Sequence, residues 1–148
     1  MLVDADLKGS VALVTGGSLG IGRATCIALA RAGAQVAVNY RSHSDEADQV
    51  LQAVRDSGSR AIKIQADVAD QQAVEHMVAQ VVTHFGKLDI AIGNAAYSDR
   101  EPFVEADMTG FRRTIEVTMW GAFYLTRAAA QAMIREGQRG SIVLVSSP

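Results

Sequence analysis

One cysteine, two prolines and a 5% share of aromatic residues among 148 positions remove several classes of protein at once. Cys26 alone can neither close an internal disulfide nor assemble a zinc site, which excludes a disulfide-stapled secreted scaffold and a zinc finger. The three histidines, His43, His76 and His84, share no metal-ligand spacing. Charge of one sign is missing too: fourteen Lys and Arg stand against sixteen Asp and Glu, a net of −2. No basic excess points to nucleic acid or to an anionic membrane surface. No uncharged apolar run approaches the length that crosses a bilayer. The opening Met1-Leu-Val-Asp-Ala-Asp-Leu-Lys8 has two acids where a secretory signal needs a basic start and a long apolar run. The expectation is a soluble cytoplasmic protein with neither a nucleic-acid nor a membrane partner.

What is present is apolar mass, 49% of the chain, enough for a core and too much for a disordered segment. It is distributed in two alternating patterns. Short solid runs recur at Val11–Val14, Val36–Val38, Ala61–Ile64, Leu88–Ile92 and Ile142–Val145. Such runs are too short for helices and lack polar alternation, so they fit strands covered on both faces, as in parallel sheets. Between them lie helical stripes. Val74, Met77, Val78, Val81, Val82 and Phe85 form one helical face, with Asp70 ahead as a cap and Gly86 behind as a left-handed stop. Ile21 to Ala32 and Ser44 to Asp56 read as two further helices. Gly110 to Arg135 reads as one long helix, with Phe111, Ile115 and Met119 stepping by four. Strict strand–helix alternation implies right-handed crossovers and parallel strands. The expected fold is α/β: a Rossmann-like doubly wound sheet of about five strands ordered 3-2-1-4-5, with residues 1–148 as one domain.

The first strand runs into Thr15-Gly-Gly-Ser-Leu-Gly-Ile-Gly22, and a helix follows at once. A glycine-rich surface turn is the bland reading. Position favours another: this is the first βα junction of an alternating chain, where the ligand crevice of doubly wound sheets begins. Glycines permit close backbone approach, and unpaired N–H groups at a helix start attract a phosphate.

Thr15-Gly-x-x-x-Gly20-x-Gly22 resembles the cofactor fingerprint of the short-chain dehydrogenase/reductases. Asp67-Val68 resembles that family's adenine-contacting Asp-Val. Gly93-Asn94-Ala95-Ala96 resembles its Asn-Asn-Ala-Gly, and Ser141-Ile-Val-Leu-Val-Ser-Ser147 resembles the fifth strand ending in the catalytic serine. The resemblance covers essentially the whole chain and, at Val38-Asn-Tyr-Arg-Ser42, is greatest to the glucose 1-dehydrogenase and 3-oxoacyl-carrier-protein reductase groups. It implies hydride transfer between a nicotinamide nucleotide and a small alcohol or carbonyl, sugar-like or oxoacyl. The implied nucleotide contacts are Gly16, Ser18, Leu19, Gly20, Ile21, Gly22, Tyr40, Arg41, Ser42, Asp67, Val68, Asn94, Ala95 and Ala96.

The end of the second strand chooses between NAD and NADP, since an acid there repels a 2′-phosphate and an arginine accepts it. Here it reads Asn39-Tyr40-Arg41-Ser42, with no carboxylate before Asp45. Arg41 favours NADP, with NAD as the alternative; a solvated arginine is the bland reading. Asp67 can equally start the following helix, and Asn94 can be an ordinary turn residue. The resemblance makes Ser147 the group that holds the substrate oxygen; otherwise it is a strand-end cap. Thr118 stands where the family usually has an asparagine that supports a water relay, which implies a weaker role there. Met119 and Trp120 read as core or subunit-contact residues, and Arg112 and Arg113 as a solvated or subunit-facing patch. Cys26 reads as a buried structural thiol.

The family's Tyr-x-x-x-Lys is absent. Four residues beyond Tyr40, Tyr97 and Tyr124 stand Ser44, Glu101 and Ala128, and the lysines, Lys8, Lys63 and Lys87, all precede Ser147. The chain is therefore expected to be the N-terminal part of a family enzyme, inactive alone, whose parent is a homotetramer packed through the long helix. The rival expectations are a noncatalytic dinucleotide-binding module and a chain unable to fold alone, because its fifth strand is left as an apolar edge.

Overall fold

The computed structural model describes residues 6–146. Its five strands are β1 (Val11–Val14), β2 (Gln35–Tyr40), β3 (Ala61–Gln65), β4 (Ile90–Gly93) and β5 (Ser141–Leu144). All pair in parallel, in the order β3-β2-β1-β4-β5. Every side chain of β1 is fully buried, because this central strand is covered on both faces and hydrogen-bonded on both edges. That is why its sequence is a solid apolar run rather than an alternation.

Two apolar layers sandwich the sheet. On one side α1 (Gly20–Arg31) and α2 (Ser44–Asp56) pack Cys26, Ala30, Val50 and Val54 against Val14, Val36 and Val38. On the other, α3 (Gln71–Phe85) and α5 (Gly121–Arg135) pack Met77, Val81, Leu125 and Ala129 against Val11, Leu13 and Ala91. The expected stops are in place on α3. Asp70 accepts a hydrogen bond from the Ala73 N–H, and Gly86 ends the helix at φ 87°, a left-handed angle that favours glycine.

The helix expected over Gly110 to Arg135 is not one regular helix. It starts earlier, as α4 (Met108–Thr114) capped by Asp107, then widens into a π-helical segment (Ile115–Trp120) before α5. The wider turns serve two tertiary contacts. Thr118 reaches the backbone of Tyr97, and Gly121 comes so close to Val68 that an added Cβ would sit 2.7 Å from its methyl carbon. The expected stripe is corrected as well: Phe111 and Met119 are about half exposed, while Val117, Gly121, Leu125 and Ala129 face inward. Trp120 and Phe123 are likewise exposed, edge to face at 5.8 Å, so Met119 and Trp120 are not core residues.

Among the described residues β5 pairs only with β4, and Val143 and Leu144 are half exposed. No helix there is long and apolar enough to cross a membrane.

The Asp70 cap supplies a direct check. Asp70→Ala is expected to lower unfolding free energy by about 1 kcal/mol, read as a fall in the urea midpoint at unchanged slope. An unchanged midpoint means that the cap contributes nothing.

Candidate functional site: the crevice at the carboxyl end of the sheet

The chain starts at central β1, adds β2 and then β3 outward on one side, and crosses back to place β4 on the other side of β1. The carboxyl ends of β1 and β4 therefore send their loops in opposite directions and leave a crevice between them. That crevice encloses about 390 Å3. Its wall is built by four segments: the glycine loop after β1, residues 39–43 at the end of β2 and just beyond it, residues 66–68 after β3, and residues 94–97 after β4, closed by Arg113 of α4 and Val117 of the π-helical segment.

The glycine loop is held down by buried side chains. The Thr15 hydroxyl donates to the Ile92 carbonyl at 3.3 Å and accepts the N–H groups of Asn94 and Ala95 at 3.0 and 3.1 Å, tying β1 to the loop after β4. The Asn39 amide bridges three elements. Its Oδ1 accepts the Gly16 N–H at 3.1 Å, and its Nδ2 donates to the carbonyls of Ala66 and Ile64 at 3.0 and 3.3 Å. Asn94 Nδ2 donates to the carbonyls of Thr15 and Gly16 at 3.0 and 3.2 Å. No buried polar side-chain atom lacks a partner among the described residues. Buried amides satisfied this way fix geometry, since losing one partner leaves another group desolvated and unpaired.

Two glycines make the close approach possible. Gly16 has φ 61°, and a Cβ there would lie 3.0 Å from the Ala95 Cα. A Cβ on Gly22 would lie 2.2 Å from the Gly16 carbonyl oxygen, which forces the first turn of α1 onto the loop. Helix α1 then opens at the crevice with no side-chain cap and no acid in its first turn. The N–H groups and positive dipole end that an Asp or Ser would ordinarily satisfy remain available to an anion.

The crevice gathers the expected nucleotide contacts except Gly20 and Gly22: Gly16, Ser18, Leu19, Ile21, Tyr40, Arg41, Ser42, Asp67, Val68, Asn94, Ala95 and Ala96 all line it. Gly22 packs beneath the loop, where it could take no side chain. Leu19 and Ile21 are 44% and 65% exposed, unusual for such side chains, and both border the crevice. Arg41 projects from the rim with its carbonyl fixed by Gln65 Nε2 at 2.9 Å. Thr118 does not line the crevice but holds a residue that does: its hydroxyl accepts from the Tyr97 N–H at 3.3 Å and donates to the Tyr97 carbonyl at 3.2 Å. Ser147 lies outside the described residues.

Arg113 is a correction: it is no free surface charge but lines the crevice, with Nη2 2.6 Å from Asp67 Oδ2. Burial alone would raise the Asp67 carboxyl. The Ala69 N–H, the Arg113 guanidinium and the more distant Arg41 charge outweigh it and hold that carboxyl below its ordinary range. Beyond the expected contacts, Asn39, His43, Tyr97 and Val117 also line the crevice, and Thr15 braces it from below. One signal was available for Asn39: an amide inside an apolar strand has hydrogen-bonding obligations that only neighbouring backbone can meet. Cys26 is buried as expected, and that burial, only partly offset by a backbone hydrogen bond, pushes its thiol up to about 12.

A sequence profile of the short chain dehydrogenase family matches residues 10–148, and the chain belongs to that family. It is 42% identical over 141 residues to L-rhamnose 1-dehydrogenase (NAD(P)(+)) of Sphingomonas sp., covering 95% of this chain and 56% of that protein. It is 31% identical over 143 residues to glucose 1-dehydrogenase 2 of Bacillus subtilis, covering 96% and 55%. The crystal structure of a short-chain type dehydrogenase/reductase from Mycobacterium marinum superposes with a TM-score of 0.92 at 37% identity, over 96% of this chain and 57% of that one. The chain thus spans about half the length of the curated relatives it matches.

Two outcomes test the local chemistry. A carboxyl held low in the folded state stabilises above its unfolded value, near pH 4, and that contribution is lost as pH falls through the folded value. The stability gap between the wild type and Asp67→Asn should hold from about pH 7 to 5 and close below about pH 4 in urea melts; a gap that widens with acid contradicts the assignment. The Cys26 thiol should react with iodoacetamide at neutral pH only as fast as the chain unfolds, and rapid labelling of the folded protein refutes its burial.

Proposed function

We propose that the crevice binds NADP, accommodates NAD, and serves an oxidoreductase that transfers hydride between the nicotinamide and a small alcohol or carbonyl. The observation that carries this reading is the uncapped start of α1 behind the glycine loop, at the mouth of the crevice between β1 and β4. The fit is good on two counts. A Cβ at Gly16 or Gly22 would strike Ala95, Asn94 or the Gly16 carbonyl and lift the loop from the position in which its N–H groups border the crevice, and the wall offers Arg41 without a carboxylate beside it on the β2 loop.

In this reading the N–H groups from Ser18 to Gly22 bind the diphosphate, with Gly16 beneath it. Arg41 and Ser42 take the 2′-phosphate, with Tyr40 forming the floor. Asp67 and Val68 border the adenine, and Asn94, Ala95 and Ala96 line the path toward the reacting end. The bound nicotinamide supplies the hydride donor or acceptor. Ser147 donates a hydrogen bond to the substrate oxygen, where negative charge grows as a carbonyl is reduced. Thr118 fixes the Tyr97 backbone beside that end.

Residues 1–148 are read as one dinucleotide-binding domain. Two relatives carry names of sugar dehydrogenases, which favours a sugar-like substrate for the whole protein. A cytoplasmic location and a homotetramer belong to the same proposal. A second reading, a dinucleotide-binding module without turnover, is favoured for these 148 residues by the missing Tyr-x-x-x-Lys: no tyrosine has a lysine four places on to lower its pKa for proton transfer.

Fluorescence titration distinguishes them from a chain that binds nothing. NADPH is expected to bind more tightly than NADH, and Arg41→Ala to weaken NADPH about tenfold while changing NADH little. An unchanged NADPH affinity in the variant removes Arg41 from the site. Alcohol oxidation by this chain alone would refute the need for the tyrosine and lysine.

A further inference from the structure

Three side chains charged at neutral pH line the crevice among the described residues: Arg41, Asp67 and Arg113. Two are cations, and they share one acid. Arg113 has it. Its Nη2 is 2.6 Å from Asp67 Oδ2, while Asp67 Oδ1 accepts the Ala69 N–H at 3.0 Å, so both carboxylate oxygens are engaged. Arg41 forms no ion pair among the described residues, although its charge is felt at the same carboxylate. The arginine that takes the acid stands on α4, from a different part of the chain than the strand end usually credited with choosing the nucleotide.

We propose that Arg113 is a specificity-determining residue for the phosphorylated dinucleotide: by holding the Asp67 carboxylate it leaves the Arg41 guanidinium free for the 2′-phosphate and cancels a negative charge that would repel it. This deepens the reading that the crevice takes NADP and rests on it. The electrostatics follow from which nucleotide carries the extra charge. A phosphate monoester adds about −1.5 to −2 near neutral pH, and NAD lacks it. With Arg113 in place the crevice side chains sum to one positive charge. Without it they sum to zero, and Asp67 becomes a bare acceptor within the field of Arg41. The long, exposed Arg41 side chain then has a competing partner, and its planar fork cannot serve carboxylate and phosphate fully at once. The loss therefore falls on NADP and spares NAD. Arg113 acts through Asp67 and is a positioning residue in that sense.

The ratio of NADPH to NADH affinity isolates the effect, because any contact of Asp67 with the adenine is common to both nucleotides and cancels. The experiment titrates each nucleotide into the 148-residue chain and into Arg113→Gln, Arg113→Lys, Asp67→Asn and the double variant Asp67→Asn/Arg113→Gln. Arg113→Gln is expected to lower the ratio about fivefold, the scale of a partly exposed ion pair. Arg113→Lys keeps it, since the charge remains. Asp67→Asn raises it, and the double variant returns it to the wild-type value. Equal weakening of both nucleotides by Arg113→Gln, or a double variant whose ratio stays low, means that Arg113 only supports the fold and overturns the proposal. Should Arg113→Gln not fold, Asp67→Asn decides alone: an unchanged or lower ratio overturns the proposal. A wild-type chain that binds neither nucleotide overturns the crevice reading itself, a result distinct from binding without the expected ratios.

Discussion

The ligand edge of this protein depends on how closely the backbone between Thr15 and Gly22 lies against the ends of β2 and β4. The Asn39 amide makes the approach from one side and the Thr15 hydroxyl from the other, both with side chains nearly excluded from water. A desolvated amide or hydroxyl is costly to leave unpaired, so each bond also enforces the position of its partner. Gly22 contributes by what it lacks: the space a Cβ would need is already taken by the Gly16 carbonyl and the Asn94 amide. If the loop lifted by an ångström, the first turn of α1 would no longer open onto the crevice, and its unpaired N–H groups would face bulk solvent instead of a ligand.

Around that rigid frame the chain separates structural polar groups from presenting ones. Thr15 and Asn39 are buried and fully engaged. Arg41, Ser42 and His43 are exposed on the rim, and Leu19 and Ile21 hold apolar surface in water beside the crevice. Exposed apolar side chains next to a polar cradle are what a ligand with both anionic and aromatic parts can use, because burying them on binding adds to the phosphate interaction without competing for the same donors. Preorganisation by the buried set and contact by the exposed set are separate tasks. Substitutions in the two sets should therefore differ in kind: the first changes stability, the second changes affinity.

Much of the fold was legible because a parallel sheet covered on both faces imprints a simple pattern. Val11–Val14 cannot be a half-exposed strand, and the stripe from Val74 to Phe85 cannot be anything but a helix face, stopped at Gly86 where a left-handed residue is needed. The glycine spacing was legible for a different reason, since it encodes local backbone geometry. The pieces that escaped are long-range pairs. Asn39 meets Ala66, Thr15 meets Asn94, and Arg113 meets Asp67; nothing in the neighbourhood of any one of them specifies its partner. The π-helical segment escaped because Phe111, Ile115 and Met119 step by four in sequence whether the turn between them is regular or widened, so periodicity alone shows a helix but not its pitch, while contacts at Thr118 and Gly121 accompany the rotation that turns Phe111 and Met119 outward.

Thr118 shows how a departure from a family pattern can be absorbed. A hydroxyl carries a donor and an acceptor on one atom, and Thr118 uses both on the Tyr97 backbone, at 3.3 and 3.2 Å. The loop after β4 is thereby fastened to the wide turn of the helix without an amide. An asparagine would divide those two functions between separate atoms and reach farther; threonine, being shorter, needs the helix and loop already close. The approach of Gly121 to Val68 one turn later supplies that closeness, and the Arg113–Asp67 pair supplies it one turn earlier. The three contacts lie along one side of the helix and fall successively on the loops after β3, β4 and β3 again. The same contacts that clamp the helix to the sheet thus also set the spacing of those loops.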